Sequence, residues 1–269
     1  MGRVLHTLSE GEPVFGVTSL DNLLYVLRAG KTSEQIEVYD MDSYRLQRRL
    51  TVRGLTATAD MTACAHDSCA YICDWADKCI HRIGLPHGAG VIHWPVNDKP
   101  ARLSVTHKHS VLVTCREVRK IKEFSTDGKL LCEIHLQQDV TSPWHTVQLF
   151  NGQFIVCHGD RGDLHRVCLT GSDGRVVKSF GGTKGSGSQQ MDAPAHLAVD
   201  ENGFVFVADV NNYRVLLLSP ELTYVRDVVL RDELKWRPLR LFLDVNRRKL
   251  HIAHNKWKST DGRVIVVNV

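Results

Sequence analysis

The chain lacks most of the features that would place it outside the class of ordinary globular proteins. No run of about 18 apolar residues occurs in its 269 residues, so the sequence predicts no membrane-spanning helix. A leader of basic and then apolar residues is missing, and His6 stands where an N-terminal acylation signal requires Ser or Thr. There is no Asn-x-Ser/Thr glycosylation acceptor. We therefore expect a cytoplasmic location, either as a whole protein or as a piece of a longer one.

The eight cysteines give no sign of a disulfide framework or of a zinc finger, because no Cys-x-x-Cys pair occurs. Several lie inside apolar runs, where a free thiol behaves as a small buried hydrophobe. These are Cys73, Cys115, Cys132, Cys157 and Cys168. We expect free, buried thiols in a reducing compartment. Cys64 and Cys73, on neighbouring predicted strands, are the pair to examine if disulfides do form.

The strongest positive signal is a series of four apolar runs at residues 197–199, 204–208, 215–218 and 224–230. Gly, Asn, Asp and Pro separate the runs, which predicts a four-stranded antiparallel meander with tight turns. The second run of this unit has counterparts throughout the chain, at 24–28, 70–74, 111–115, 154–158 and 250–254. Their spacing of roughly 40 to 50 residues is typical of a propeller blade. Six such units fill the chain.

We therefore predict an all-β fold: a six-bladed β-propeller of four-stranded antiparallel blades, built as a single domain over residues 1–269. The blades are expected at about 13–53, 54–96, 97–140, 141–190, 191–234 and 235–269. The last unit has no fourth strand of its own, whereas residues 3–8 form a strand-like run before the first unit. We expect residues 3–8 to complete the last blade, which would close the ring and remove an exposed edge.

The best-formed unit resembles an NHL repeat. The resemblance is carried by Pro-Ala-His-Leu-Ala-Val-Asp at 194–200, Gly-Phe-Val-Phe-Val-Ala-Asp at 203–209 and Asn-Asn-Tyr-Arg-Val at 211–215. It implies a closed six-bladed propeller like the C-terminal domain of tripartite-motif ubiquitin ligases. It also implies a monomeric recognition domain that targets a protein or a single-stranded RNA, with any ligase activity outside this chain.

Strand parity predicts which loops share a face. In an antiparallel blade, the loops between strands two and three lie on the same side as the connections from strand four to the next blade. We call this side the inner-loop face. It has an excess of basic residues, and it has aromatic residues such as Trp75 and Trp144. This combination suits single-stranded RNA, whose phosphates need charge and whose bases stack, but it equally suits a protein interface.

The candidate partner-binding residues fall into two groups. Those in loops are Arg28, Lys31, Trp75, Lys78, Arg116, Arg119, Lys120, Arg161, Tyr213, Arg214, Lys256, Trp257 and Lys258. Those expected near the mouth of the central channel are Arg102, His145, His196 and Arg240. For Arg214, an internal ion pair with Asp209 across one tight loop is favoured over a contact with a partner. Arg161 begins an Arg-Gly-Asp tripeptide, which we interpret as a turn.

An enzyme is the alternative function. Propellers similar to the NHL type include a zinc-dependent amidating lyase, whose metal is held by histidines at the channel, and metal-dependent hydrolases. His145 and His196 are equivalent positions in neighbouring units, but a catalytic zinc needs three protein ligands. The positions equivalent to them elsewhere are predicted to be Phe15, Met61, Arg102 and Leu241. With no third ligand and no nucleophile or phosphate motif, we expect no metal, no cofactor, no small-molecule substrate and no enzymatic activity.

Overall fold

The computed structural model describes residues 4–8, 10–29, 35–160, 162–256 and 261–269, which form six four-stranded antiparallel sheets. Within five of the sheets the strands neighbour one another in chain order. Each is therefore a simple meander, the arrangement expected of a propeller blade. The predicted fold class, a six-bladed β-propeller, is confirmed.

The strands have the following bounds. The chain begins with β1 (Val4–Thr7), and the first blade contains β2 (Val14–Leu20), β3 (Leu23–Arg28), β4 (Gln35–Asp40) and β5 (Leu46–Thr51). The second blade contains β6 (Thr58–Cys64), β7 (Cys69–Asp74), β8 (Cys79–Gly84) and β9 (Ala89–Pro95). The third contains β10 (Pro100–Val105), β11 (Val111–Cys115), β12 (Lys120–Phe124) and β13 (Leu130–His135).

The other three blades follow the same plan. The fourth contains β14 (Pro143–Gln148), β15 (Phe154–His158), β16 (Leu164–Thr170) and β17 (Val176–Thr183). The fifth contains β18 (Pro194–Val199), β19 (Val205–Asp209), β20 (Arg214–Leu218) and β21 (Tyr224–Val229), after which comes a short helix α1 (Arg231–Leu234). The sixth contains β22 (Arg237–Asp244), β23 (Lys249–Asn255) and β24 (Gly262–Asn268). Among the residues that the structure describes, no helix has the length and apolar character to cross a membrane.

The N-terminal strand β1 is the fourth strand of the sixth blade. It pairs antiparallel with β24, with Val4 opposite Val267 and Thr7 opposite Ile265. This agrees with the predicted closure, because the first and last strands of the chain are joined by hydrogen bonds instead of leaving β24 as an open edge.

The inner strands are buried on both faces, because each blade packs between two neighbours. All five residues of β11, β15 and β19 are buried, which explains why these strands are continuous apolar runs without alternating polar residues. One cluster between blades joins Tyr71 and Trp94 of the second blade to Leu103 and Phe124 of the third. The hydrophobic core is thus a set of interfaces around the ring.

The cysteines are all free, and seven of the eight are buried. Cys132 is the exception: it lies on β13, an outer strand that faces solvent, so the prediction that it is buried is wrong. Cys64 is opposite Cys69 in the pairing of β6 with β7, and Cys73 lies farther along the same strand.

Candidate functional site

One residue of each innermost strand follows a β-bulge near the start of the strand. In the fourth blade, for example, the register shifts by one residue between Pro143 and His145, after which His145 stands opposite Cys157. The same shift occurs in all six blades. The six equivalent positions, called here the channel ring, are Gly16, Asp60, Arg102, His145, His196 and Arg240.

The prediction that Phe15, Met61 and Leu241 occupy these positions is therefore wrong by one residue in three blades. A bulge inserts one residue before regular pairing begins, so matching apolar runs does not locate the residue that follows it. The mismatch concealed Asp60, a ring member that sequence reasoning missed. A usable signal was present, because Pro-x-Arg or Pro-x-His recurs four times, at 100–102, 143–145, 194–196 and 238–240. Thr-Ala-Asp at 58–60 fits the same spacing.

The ring side chains meet across the channel. Asp60 of the second blade lies 3.7 Å from Nε2 of His196 in the fifth blade, and its Oδ1 lies 3.0 Å from Nε of Arg240 in the sixth. The backbone N–H of Leu103 donates to Oδ2 of Asp60 at 2.9 Å. Burial opposes ionisation of Asp60, but the contact with His196 and the charges of Arg240 and Arg102 hold the pKa of this carboxyl below its usual range. Asp60 is therefore an ionised, buried counterion.

Two buried arginines of the ring face the inner-loop side. Nη1 of Arg102 donates to the carbonyls of Ala101 and Ala59 at 2.6 and 3.3 Å. Nε of Arg240 donates to the carbonyl of Phe15 at 2.8 Å, and its Nη2 donates to the same carbonyl of Ala59. Burial and the nearby charge of Arg102 lower the pKa of Arg240 to about 9. With Asp60 ionised, the two arginines leave the ring with a net positive charge.

The two ring histidines are stacked, with ring centroids 3.9 Å apart and planes 17° from parallel. His145 uses both nitrogens: Nδ1 accepts from the N–H of Leu197 at 3.1 Å, and Nε2 is 3.0 Å from the carbonyl of Leu103. Nδ1 of His196 accepts from the N–H of Leu241 at 3.4 Å. Burial lowers the pKa of both imidazoles, so both rings are neutral.

Asp60, His145 and His196 bring three potential metal-ligand atoms within 4.8 Å of one another. The arrangement nevertheless does not suit a cation. Both nitrogens of His145 are committed to the backbone, and Asp60 already neutralises Arg240. The positive charges of Arg102 and Arg240 would also repel a divalent ion in this buried position. The zinc-dependent or otherwise metal-dependent alternative considered from the sequence therefore has no fitting site in the channel ring.

A cavity of about 710 Å³ opens above the channel ring on the inner-loop face. Its floor includes Arg102 and Arg240, and its walls include Trp75, Trp144 and Lys99. The walls come from loops between strands two and three and from connections between blades, so these two loop sets do lie on one face, as strand parity predicts. The size is that of a small-molecule site.

Three buried donor atoms around this cavity have no hydrogen-bond partner. They are Nε of Arg102, Oγ1 of Thr58 and Nε1 of Trp144. Arg102 and Thr58 are 7% and 3% exposed, so bulk water does not compensate them. Buried polar atoms are nearly always hydrogen-bonded in folded proteins. The residues that line the cavity therefore include three buried donors that no protein group satisfies, one of them on a guanidinium.

Five of the predicted partner residues line the cavity: Trp75, Arg102, Arg116, Arg119 and Arg240. The guanidinium of Arg116 lies 4.0 Å from the centre of the Trp144 ring, and Nη2 of Arg116 forms an ion pair with Asp160. Nη1 of Arg119 donates to the carbonyl of Gln138 at 3.1 Å. His145 and His196 lie in the buried channel ring and not among the residues that line the cavity.

Several other candidates lie elsewhere and have internal partners. Arg28 is buried, with Nε 2.5 Å from Oε2 of Glu37. Arg214 is also buried, and its Nε pairs with Asp209 at 2.8 Å, which is the internal alternative anticipated for it. Burial and these ion pairs remove Arg28 and Arg214 from the accessible surface that partner binding requires.

The remaining candidates are spread over the rim. Nζ of Lys120 pairs with Glu133 at 2.9 Å, Lys78 is exposed in the turn after β7, and Arg231 stacks 4.4 Å above the ring of Tyr213. Nζ of Lys256 lies 3.8 Å from Asp261. The last four candidates fall outside the described residues: Lys31, Arg161, Trp257 and Lys258. The structure therefore does not gather the predicted set into one patch.

The structural comparisons support the propeller fold and none of the finer family assignments. The chain is similar to an aldose sugar dehydrogenase of Streptomyces coelicolor in its PQQ-bound form, with TM-score 0.70 and 13% identity over 100% of this chain and 98% of the other. It is similar to hydrazine synthase of Kuenenia stuttgartiensis, with TM-score 0.68 and 12% identity over 98% of this chain and 97% of the other. It is also similar to virginiamycin B lyase of Staphylococcus aureus, with TM-score 0.64 and 9% identity over 97% of this chain and 99% of the other.

No protein-family model and no curated protein matches the chain. The assignment to NHL repeats of the tripartite-motif type is therefore not confirmed, and nothing in the comparisons supports a ubiquitin-ligase or RNA-binding context. The expectation that the chain is not an enzyme is contradicted, because the similar propellers include a lyase and a dehydrogenase. At identities of 9 to 13% these likenesses establish the fold, and the chemistry must be argued from the site.

Proposed function

We propose that this chain is a propeller enzyme whose substrate is a small molecule with a carboxylate or carbonyl group, bound in the cavity above the channel ring. The observation that carries the proposal is the convergence of Arg102 and Arg240 with the aromatic side chains of Trp75 and Trp144 around one 710 Å³ space. Donors held in fixed positions by a rigid fold stabilise negative charge better than mobile water does, because they need not reorganise as the charge develops. The similarity to a lyase and a dehydrogenase supports the part of the proposal that the chain is an enzyme.

Each cavity residue has a role in this proposal. Arg102 and Arg240 bind the anionic oxygen and stabilise the charge that grows on it when a neighbouring carbon loses a proton. Glu117 lines the same cavity and is the carboxylate that accepts the proton, with Lys99 3.0 Å away to hold it. Trp75 and Trp144 provide flat apolar walls for the rest of the molecule.

The first experiment measures the melting temperature of the purified chain against a panel of small mono- and dicarboxylates, oxo acids and inorganic phosphate. A ligand present at 100 times its Kd stabilises the fold by about 2.7 kcal/mol, which raises Tm by several degrees. We expect a carboxylate to give this shift. The shift should be lost in Arg102→Gln and reduced in Trp144→Phe, which removes one donor but keeps an aromatic ring.

Arg175→Gln is the matched control, because Arg175 is exposed and is not among the residues that line the cavity. Compounds that bind are then incubated with the protein, and products are sought by mass spectrometry. Glu117→Gln should keep the Tm shift but abolish turnover. Binding without turnover in the wild-type chain would refute the enzymatic part alone. A panel without any shift, or equal shifts in Arg102→Gln, would refute the site.

Single-stranded RNA, a partner expected from the sequence, is included as a competitor. Because the cavity is sized for a small molecule, we expect RNA not to displace the bound carboxylate at physiological salt. Tight RNA binding that Arg102→Gln abolishes, together with no response to any small anion, would contradict the proposal.

A further inference from the structure

The cavity above the channel ring is lined by more positive charge than nearby carboxylates neutralise. Its charged lining residues are five cations and one anion: Lys99, Arg102, Arg116, Arg119, Arg240 and Glu117. Three of the cations have a carboxylate partner: Lys99 pairs with Glu117 at 3.0 Å, Arg240 with Asp60 at 3.0 Å, and Arg116 with Asp160. Two positive charges of the lining are therefore left over.

The two arginines left over are Arg102 and Arg119, and they lie at different depths. Within the part of the chain that the structure describes, neither guanidinium has a carboxylate oxygen at ion-pair distance. Arg102 is 7% exposed and belongs to the floor of the cavity. Arg119 is exposed in the turn between β11 and β12, at the rim. Because the two charges differ in depth, they suit two separate anionic groups better than one.

Backbone carbonyls hold both guanidiniums in place without neutralising them. Nη1 of Arg102 donates to the carbonyls of Ala59 and Ala101, and Nη1 of Arg119 donates to the carbonyl of Gln138 at 3.1 Å. Nη2 of Arg102 makes no hydrogen bond to the described residues and is not among the atoms closed off from solvent. Each arginine is thus oriented and keeps donors for a carboxylate, whose geometry a guanidinium matches.

The uncharged lining of the cavity is mainly apolar: Phe15, Ala59, Pro100, Ala101 and Leu239, together with the two tryptophans. The Trp144 ring is already in contact with cations, because the guanidiniums of Arg116 and Arg102 lie 4.0 and 5.1 Å from its centre. Trp75 is 46% exposed, and Nζ of Lys99 lies 6.0 Å from the centre of its ring. Trp75 therefore offers the more open apolar surface, on which the uncharged part of a ligand can pack.

We propose that the substrate of this cavity is a dicarboxylate with an apolar body, with one carboxylate bound by Arg102 at the floor and the other by Arg119 at the rim. This inference rests on the proposed function and adds to it the second anionic group and Arg119 as the residue that selects it. A phosphate monoester also carries two negative charges, but it carries them on one group and so satisfies only one of the two positions.

The test compares ligands that differ only in the second carboxylate: hexanoate with adipate, and benzoate with terephthalate. Their Kd values for the whole purified chain are measured by isothermal titration calorimetry at physiological salt. We expect the dicarboxylate of at least one pair to bind about fivefold more tightly than its partner, the size of a well-formed exposed ion pair. Arg119→Gln should remove this preference and leave the monocarboxylate affinity unchanged. Arg102→Gln should weaken both members of the pair.

Two further variants separate charge from other effects. Arg119→Lys keeps the positive charge and should retain part of the preference. Arg175→Gln makes the same exchange at an exposed residue that does not line the cavity, and it should change neither affinity. Because Arg119 is exposed, Arg119→Gln is expected to fold even if Arg102→Gln does not.

The outcomes distinguish this inference from the proposed function. If monocarboxylates bind through Arg102 but both members of each pair bind equally, the second anion position is refuted and the proposed function stands. The same holds if Arg119→Gln weakens both members alike, or if phenyl phosphate binds more tightly than either dicarboxylate. If no carboxylate binds at all, both proposals are overturned.

Discussion

Replacing Asp60 by Asn tests the electrostatic balance of the channel ring. Asn keeps the shape of the side chain and can still accept the N–H of Leu103, but it removes the buried negative charge 3.0 Å from Arg240. Arg240 and Arg102 would then be two buried cations without an ionised partner. Removing one member of a buried ion pair destabilises a protein by about 3–5 kcal/mol.

The size of the effect is measured by urea unfolding. With a slope near 3 kcal/mol/M, a loss of about 3 kcal/mol lowers the midpoint by about 1 M. Arg240→Gln should cost a similar amount, because it leaves Asp60 buried without its closest cation. In the double variant neither charge remains, so the two losses should not add. We expect a coupling free energy of about 2 kcal/mol.

The exposed pair Asp173 and Arg175 is the control for this cycle. Their side chains are 61% and 84% exposed and 3.6 Å apart, so the same substitutions there should have almost no coupling. Additive losses at Asp60 and Arg240, or a midpoint unchanged by Asp60→Asn, would refute the view that the ring is held by a buried ion pair.

Three further predictions concern the fold. Burial lowers the pKa of three buried histidines from the ordinary value of about 6.5, so below that pH the unfolded chain binds more protons than the folded one. The pKa is lowered to about 4 in His158 and His251 and to about 3 in His254. The free energy of unfolding, measured with urea, should therefore be constant above pH 6.5 and fall below it, by about 2 kcal/mol per histidine at pH 5. His→Gln variants should show a weaker dependence of this free energy on pH. A urea midpoint at pH 5 equal to that at pH 7 would contradict the prediction. Deleting residues 1–8 should expose β24 as an open edge and cause self-association, seen as increased light scattering; a stable monomer would count against closure by β1. Gly128→Ala places a Cβ 2.6 Å from a ring atom of Trp94 at a φ of +88°, so Tm should fall, whereas Gly152→Ala, also at positive φ but with open space around it, should cost less.

The number of blades and their meander topology could be predicted from local sequence alone. Each blade is made of neighbouring strands joined by tight turns, so apolar runs and turn residues such as those between 197 and 230 report on it directly. The closure by β1 could also be predicted from the sequence, because the last unit lacks a fourth strand and the chain begins with a strand that belongs to no other unit.

The candidate site was only partly predictable. Arg102 and Arg240 were recognised as channel residues, and Trp75, Arg116 and Arg119 as residues of the inner-loop face, because position within a blade determines these placements. Arg28 was predicted as an accessible loop residue but is buried, because Glu37 on the adjacent strand and the carbonyl of Gly262 in the last blade hold its guanidinium. The internal pair of Arg214 with Asp209 could be recognised from the sequence, because the two residues flank one tight loop.

Asp60 shows most clearly what tertiary structure alone decided. Its position in the ring depends on a one-residue bulge, and its partner Arg240 is contributed by a blade 180 residues later in the chain. The sequence by itself determined the repeating unit, since the unit is held by local pairing. Closure of the ring decided which polar residues face one another, because those contacts join blades that no local pattern connects.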